Sequence, residues 1–125
     1  ILVGRAECFL TGHPDPLPEA LRRLAAYAEA GAEVFYAPGI TTPDQIAAVV
    51  RAAAPRPVNL LVHRPLGLTM AEIAALGVRR VRRGGALSGV AWGAVARAGA
   101  ELKEGRFDAL GARLPGGELN ALFGG

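Results

Sequence analysis

Cysteine, aromatic residues and long apolar runs are all scarce in this 125-residue sequence. The single cysteine, Cys8, excludes a disulfide within the chain and is typical of a reducing compartment, so we predict a cytoplasmic location. No apolar run reaches the roughly 18 residues that a membrane-spanning helix needs, which predicts no membrane partner. Only 6% of residues are aromatic and arginines cluster only at residues 79–83, so the net charge of +3 does not indicate a nucleic-acid partner.

Motifs that bind nucleotides, hold metals or carry a nucleophile are absent as well. The sequence contains no GxGxxG, P-loop or GxSxG motif and no cluster of residues spaced as metal ligands. It also lacks an initial methionine and a basic leader, and it opens on the apolar residues Ile1-Leu2-Val3. We therefore expect that the beginning of the protein is missing from this sequence.

What the sequence does contain is a fourfold alternation of strand and helix patterns. Short apolar runs predict strands, and amphipathic stretches bounded by glycine or proline predict helices. The predicted strands span residues 1–6, 33–36, 58–62 and 78–81. The predicted helices span residues 18–30 and 86–103, with two helices beginning after Thr42 and Thr69 and two tail helices at residues 107–112 and 118–122.

Local sequence patterns predict where these helices begin and which side they bury. Two capping boxes are predicted, one formed by Thr42 with Gln45 and one by Thr69 with Glu72. In a capping box, a threonine and a Gln or Glu three residues later each accept a hydrogen bond from the other's backbone N–H group. The apolar positions expected to face the core are Leu17, Leu21, Leu24 and Ala28 in the first helix, Ile46, Val49, Val50 and Ala53 in the second, and Met70, Ile73 and Leu76 in the third.

The order of these elements predicts an α/β fold with a parallel sheet, because each strand returns to the sheet through a crossover helix. With 51% hydrophobic and 20% charged residues, we predict one globular domain over residues 1–125 with a helical tail from about residue 86. Four strands cannot close a barrel, and an open sheet has two unpaired edges. If the chain is half of a (β/α)8 TIM-type barrel, the strands of the other half pair with both edges. A small doubly wound sheet is the alternative.

Arg5 is the first candidate for function because it ends the first predicted strand. Ligands of α/β proteins bind at the carboxyl ends of parallel strands. Strand alternation places Val3, Arg5 and Glu7 on one side of the sheet. If that side faces the barrel axis, Arg5 can hold a carboxylate or phosphate through two parallel hydrogen bonds. The alternative is that Arg5 pairs with Glu7 or with a carboxylate of a neighbouring strand.

Three further positions are candidates for substrate binding. Asn59 is the one polar residue within the third predicted strand, and its amide either donates to a substrate oxygen or satisfies buried backbone. Gly84 and Gly85 precede a helix, whose free N–H groups can hold an anion. Arg82 and Arg83 lie on opposite faces of a strand end, so one of them points inward and requires an anion or an acidic partner.

Several blocks resemble the carboxyl half of the isocitrate lyase/phosphoenolpyruvate mutase superfamily. They are Val3-Gly4-Arg5-Ala6-Glu7, residues 28–39, Pro57-Val58-Asn59 and residues 76–81. The resemblance implies a Mg²⁺-dependent (β/α)8 barrel that makes or breaks C–C or P–C bonds beside a 2-oxo acid through an enolate-like intermediate. It implies that Arg5 is the catalytic-site arginine that holds the substrate carboxylate or phosphonate, and that Asn59 lies near the substrate.

The resemblance also implies what this chain does not carry, since the metal-binding aspartates and the gating loop belong to the amino half. Two departures from the family pattern are Pro38-Gly39, where methylisocitrate lyases have Pro-Glu, and Arg82-Arg83, where small or hydroxyl residues are usual. The expected partners are a small 2-oxo acid or phosphonate and the missing amino-terminal half or a second subunit, in a homo-oligomer. The alternative function is a non-catalytic half-barrel assembly module.

Overall fold

The computed structural model describes residues 1–124 and contains one four-stranded parallel sheet with the strand order β1-β2-β3-β4. A helix follows each strand along the chain. In order, the elements are β1 (Val3–Arg5), α1 (Pro16–Glu29), β2 (Val34–Tyr36), α2 (Pro43–Ala53), β3 (Val58–Leu61), α3 (Met70–Ala75), β4 (Arg80–Arg82), α4 (Ala86–Lys103), a 3-10 helix (Asp108–Ala112) and α5 (Gly116–Phe123). The predicted α/β class with four βα units is therefore confirmed.

The chain divides into two compact units, Ile1–Ala86 and the residues from Leu87 onward. The first contains the sheet with α1, α2 and α3. In the second, the Glu101 carboxylate of α4 accepts a hydrogen bond of 2.9 Å from the backbone N–H of Ala109 in the 3-10 helix. The single domain over residues 1–125 remains a prediction. No helix within residues 1–124 combines the length and the apolar character that crossing a membrane requires.

The register of the sheet assigns each strand residue to one of two faces. Gly4 pairs with Phe35 and Phe35 pairs with Val58, and these positions face the core formed with α1, α2 and α3. The side chains that fill this core are Leu24, Phe35, Ile40, Ile46, Val49, Val58, Leu60 and Ile73. The other face of the sheet carries a different set, here called the arginine face: Arg5, Tyr36, Asn59, Arg80 and Arg82.

Both capping boxes form as predicted. The Thr42 hydroxyl accepts from the Gln45 N–H at 3.3 Å, and the Gln45 side chain accepts from the Thr42 N–H. The Glu72 carboxylate accepts from the Thr69 N–H at 2.7 Å, and this bond lowers the pKa of Glu72 because it favours the charged form. Each box satisfies backbone donors that the first turn of a helix leaves free.

The core faces of α1 and α2 agree with the sequence pattern, but α3 differs from it at Met70. Ile73 is buried and Leu76 packs partly against the core, whereas the Met70 side chain is 66% exposed. Met70 is the first residue of a six-residue helix, directly after its cap at Thr69. The prediction that Met70 faces the core was wrong.

Strand β4 begins two residues later than the apolar pattern predicts. Val78 is buried, but pairing with β3 starts only where Asn59 lies opposite Arg80. The hydrogen-bonded ladder therefore ends at Arg82, so Arg82 lies within the strand instead of after it. β1 is also shorter than predicted, and α1 begins at Pro16 because a proline in the first turn needs no intrahelical N–H partner.

Gly4 allows α1 to approach the strand that carries Arg5. A Cβ atom at Gly4 would lie 2.9 Å from Tyr27 Cβ and 3.2 Å from Ala32 Cβ, and both of those atoms are held close to the backbone. We expect Gly4→Ala to lower the free energy of unfolding by about 1–3 kcal/mol, the usual cost of overpacking. Urea denaturation followed by circular dichroism measures this change.

Gly89→Ala is the matched control for that substitution. Gly89 lies within α4, and a Cβ atom there meets nothing within 4 Å. Alanine favours a helix interior more than glycine does, so this variant should gain roughly 0.5–1 kcal/mol. Equal effects of the two substitutions would contradict the close packing of α1 on β1.

Candidate functional site

The arginine face brings polar side chains to the carboxyl ends of the strands. Arg5 is the last residue of β1, Tyr36 the last of β2 and Arg82 the last of β4. Because all four strands are parallel, these ends meet at one edge of the sheet, and that edge is where α/β barrels bind their ligands. The edge formed by these strand ends is therefore the candidate site.

Arg5 is held by two neighbours at this edge. Its guanidinium forms an ion pair with the Glu7 carboxylate and lies 5.0 Å from the centre of the Tyr36 ring. The side chain remains 49% exposed, and one nitrogen of the guanidinium makes the ion pair, so further N–H donors remain for a ligand. The pairing with Glu7 is one of the two arrangements that the sequence left open, and substrate binding by Arg5 stays a prediction.

Tyr36 is the member of this cluster that sequence reasoning missed. Its ring is 5% exposed and is in register with Arg5, which leans over it. A guanidinium over an aromatic ring is favourable by about 0.5–1 kcal/mol at an exposed site, and the ring restricts the directions that Arg5 can take. Pairing β2 in register with β1 would have identified Tyr36, because both residues end their strands on the same face.

Asn59 lies next to Tyr36 in the same cross-strand row and is 3% exposed. Its Oδ1 atom is buried and accepts no hydrogen bond from any residue within the described part of the chain. A buried acceptor without a donor costs about 1–3 kcal/mol, and such groups are uncommon in folded proteins. Substrate binding by Asn59 stays a prediction.

The two glycines that follow β4 lie at the same edge of the sheet. Gly84 has φ +53°, and a Cβ there would lie 3.5 Å from Leu61 Cδ1 at the end of β3. Arg5 is on the first strand and Gly84 follows the fourth, so three strand spacings, about 14 Å, separate their positions along the sheet. The structure therefore places Arg5 beside Tyr36 and Glu7, and it places Gly84 beside Leu61. Asn59 is on β3, in the same cross-strand row as Arg5 and Tyr36. Anion binding by Gly84 and Gly85 stays a prediction.

A second turn at this edge explains one of the two departures from the family pattern. Gly39 follows β2 with φ +99°, and a Cβ there would lie 2.6 Å from Phe9 Cβ. A side chain at this position would therefore meet both backbone strain and a collision. Pro38-Gly39 forms the turn that brings Phe9 against the end of β2.

Positive charge is in excess on the arginine face. Its three arginines, Arg5, Arg80 and Arg82, are accompanied at the carboxyl edge by one acidic residue, Glu7, which pairs with Arg5. Neither Arg80 nor Arg82 forms an ion pair with any residue from 1 to 124. The same residues contain no group of three or more His, Cys, Asp or Glu side chains that could hold a metal ion. The site as described here fits an anion and does not fit Mg²⁺.

Comparison with known proteins finds one matching family model and several similar solved structures. A family model described as phosphoenolpyruvate phosphomutase matches residues 1–103. A Burkholderia cenocepacia J2315 protein described as a lyase/mutase is 46% identical over 99% of this chain, with a TM-score of 0.88. Oxaloacetate acetylhydrolase, solved with its product oxalate, is 28% identical over 94% of the chain with a TM-score of 0.71.

A further solved relative, 2,3-dimethylmalate lyase, is a member of the PEP mutase/isocitrate lyase superfamily and is 26% identical over 83% of this chain, with a TM-score of 0.70. The chain spans less than half the length of these proteins, namely 45%, 39% and 36% of their chains. No curated protein matches the sequence. The predicted architecture, four βα units of a TIM-type barrel followed by helices, is confirmed by these relatives.

The family model covers more than four-fifths of the sequence, and the first of these relatives is 46% identical over 99% of this chain. The predicted superfamily is thereby confirmed. This chain belongs to the phosphoenolpyruvate phosphomutase family, within the PEP mutase/isocitrate lyase superfamily.

Proposed function

We propose that this chain supplies the anion-binding part of the active site of a lyase or mutase that acts on a small 2-oxo acid or phosphonate. The reaction would make or break a C–C or P–C bond through an enolate-like intermediate. The observation that carries this proposal is Arg5, a half-exposed guanidinium at the carboxyl end of β1, held by Glu7 and Tyr36. Family membership supports the reaction class.

In this proposal Arg5 binds the substrate carboxylate or phosphonate. A guanidinium presents donors in a plane and can form two parallel hydrogen bonds to such a group. The Tyr36 ring and the Glu7 carboxylate hold the guanidinium in one region, so less conformational entropy is lost when the substrate binds. Asn59 would accept a hydrogen bond at the buried end of the substrate, and the backbone at Gly84 and Gly85 would contact the substrate beyond the carboxyl end of β4.

We propose further that the remainder of the site comes from outside this chain, from an amino-terminal half or a second subunit. One observation supports this: the chain spans 45% or less of the length of the relatives named above. Mg²⁺ would be bound by carboxylates of that missing part, because the described residues offer no such set.

The substrate class follows from the same charge balance. Two of the relatives are named for oxaloacetate and 2,3-dimethylmalate, both of which have a four-carbon dicarboxylate backbone. Another is described as a phosphonomutase and is 34% identical over 82% of this chain. A face with three arginines and one acidic neighbour suits a substrate with two negative charges. We therefore propose a dicarboxylate or a phosphono-carboxylate as the substrate.

A non-catalytic assembly module is the second candidate function. The unit from Leu87 onward exposes large apolar side chains, including Trp92 at 70%, Leu122 at 72% and Phe123 at 83%. Exposed apolar surface of this kind is typical of protein–protein contact sites. In this reading the helices after the sheet serve to join subunits, and the intact protein is a homo-oligomer.

An assay of the full-length protein distinguishes the two candidates. With Mg²⁺ and either oxaloacetate or phosphonopyruvate, we expect turnover by the full-length protein and none by the 125-residue chain alone, since the chain holds only part of the site. Turnover by the chain alone would contradict the proposed division of the site. A full-length protein that turns over neither compound, yet assembles by light scattering, would favour the assembly module.

Arg5→Lys in the full-length protein tests the role of Arg5. Lysine keeps the charge but loses the planar pair of donors, so transition-state binding should weaken by about 1.5–3 kcal/mol, the range for hydrogen bonds to charged groups. This loss appears as a decrease in kcat/KM. Arg51→Lys, on the exposed side of α2, is the matched control and should leave kcat/KM unchanged. Wild-type kinetics for Arg5→Lys would return Arg5 to a purely structural role.

A further inference from the structure

Arg82 is a second arginine at the carboxyl edge, and the function proposed above counts its charge but assigns it no particular group of the substrate. It is the last residue of β4, as Arg5 is the last residue of β1. Its backbone position is well defined, because its carbonyl oxygen accepts a 2.7 Å hydrogen bond from the Val62 N–H and it pairs in register with Leu61. Strand alternation directs it to the arginine face and directs the next residue, Arg83, to the opposite side.

No acidic residue among residues 1–124 neutralises Arg82. The acidic residue at this edge is Glu7, and it is paired with Arg5 at the β1 end of the sheet, three strands away from Arg82. The remaining ion pairs in the described chain join Glu33, Glu19 and Glu104 to other cations. The Arg82 side chain is exposed, so its guanidinium donors are accessible to an anionic group at this edge.

The position of the Arg5 guanidinium reduces the distance that a ligand must span. Arg5 starts on β1, but its guanidinium lies 5.0 Å from the Tyr36 ring on β2. Along the sheet, about 10 Å then separates the β2 column from the β4 column, and the long side chain of Arg82 can cover part of that distance. The buried Asn59 Oδ1, which has no donor among the described residues, lies in the column between them.

We propose that Arg82 is a specificity-determining residue that binds the second anionic group of the substrate, while Arg5 binds the first. The ligand class is a dicarboxylate or phosphono-carboxylate whose two charges are separated by a short carbon chain. A donor group between those charges, such as a hydroxyl, would satisfy Asn59. This inference rests on the proposed function for the identity of the reaction, but the binding geometry on which it depends can be measured without turnover.

The experiment compares two ligands of equal size, succinate and its half-amide succinamate, by titration calorimetry of the full-length protein. Succinate carries two carboxylates and succinamate carries one. Because a hydrogen-bonded ion pair to the second carboxylate is lost, wild-type protein should bind succinate roughly ten- to a hundredfold more tightly. In Arg82→Gln this ratio should fall to about one, because succinate affinity decreases and succinamate affinity changes little.

Two further variants keep the result interpretable. Arg83→Gln, one residue later and on the opposite side, should retain the wild-type ratio. Arg82→Lys keeps the charge and should retain part of the preference, which also provides a measurement if Arg82→Gln does not fold. If Arg82 serves instead as a structural partner for an acid elsewhere in the protein, Arg82→Gln will lower the melting temperature and leave the ligand ratio unchanged, and this result overturns the proposal.

The outcomes separate this inference from the proposed function. Suppose that Arg82→Gln abolishes the preference for succinate over succinamate, but the full-length protein turns over none of the compounds assayed above. This result would support the second anion site and contradict the proposed reaction. Turnover together with an unchanged ratio would contradict the second anion site and leave the reaction in place. Wild-type protein that does not bind succinate at all would also overturn the inference.

Discussion

The register of the parallel sheet is the constraint on which the rest of the structure depends. Because side chains alternate between faces, the pairing of Arg5 with Tyr36, of Tyr36 with Asn59 and of Asn59 with Arg80 places all four on one face. A shift of one residue would bury the arginines among the helices and expose Phe35 and Val58. The apolar contacts of Phe35, Val58 and Leu60 with α1, α2 and α3 prevent that shift.

This register separates the two tasks of the chain. One face of the sheet stabilises the fold through apolar burial. The other face carries three arginines and the buried Asn59 Oδ1, which has no donor among the described residues. Arg5 is half-exposed and Arg80 and Arg82 are exposed, so water solvates these charges and their N–H donors are accessible to an anionic group. The relatives, in which the matched region is less than half of the chain, agree with a requirement for additional structure.

Much of the fold could be predicted from sequence because the relevant information is local. The capping boxes at Thr42 and Thr69 form as expected, since each needs only residues three apart. Helix α4 has the predicted bounds, because the glycines and the apolar stretch that define it are adjacent in sequence. The family resemblance depended on blocks spread along the chain, and the comparison with known proteins confirms it.

The remainder could not be predicted because it depends on contacts between distant residues. The start of β4 is set by its pairing with Asn59 and not by the apolar residue Val78. Met70 is exposed although its spacing from Ile73 and Leu76 suits one helix face, because spacing alone does not show which residues of a short helix reach the sheet. The stacking of Arg5 on Tyr36 and the unsatisfied Asn59 Oδ1 appear only when neighbouring strands are in register.

Ligand binding at the carboxyl edge of the arginine face is the proposal on which the function of this chain depends. Hydrogen–deuterium exchange of the full-length protein, with and without saturating oxalate, tests it most directly. Oxalate should slow exchange in residues 5–7 and 36–39, at the ends of β1 and β2, and leave exchange in α1 and α2 unchanged. Protection confined to α1 or α2, with no change at the strand ends, would contradict it.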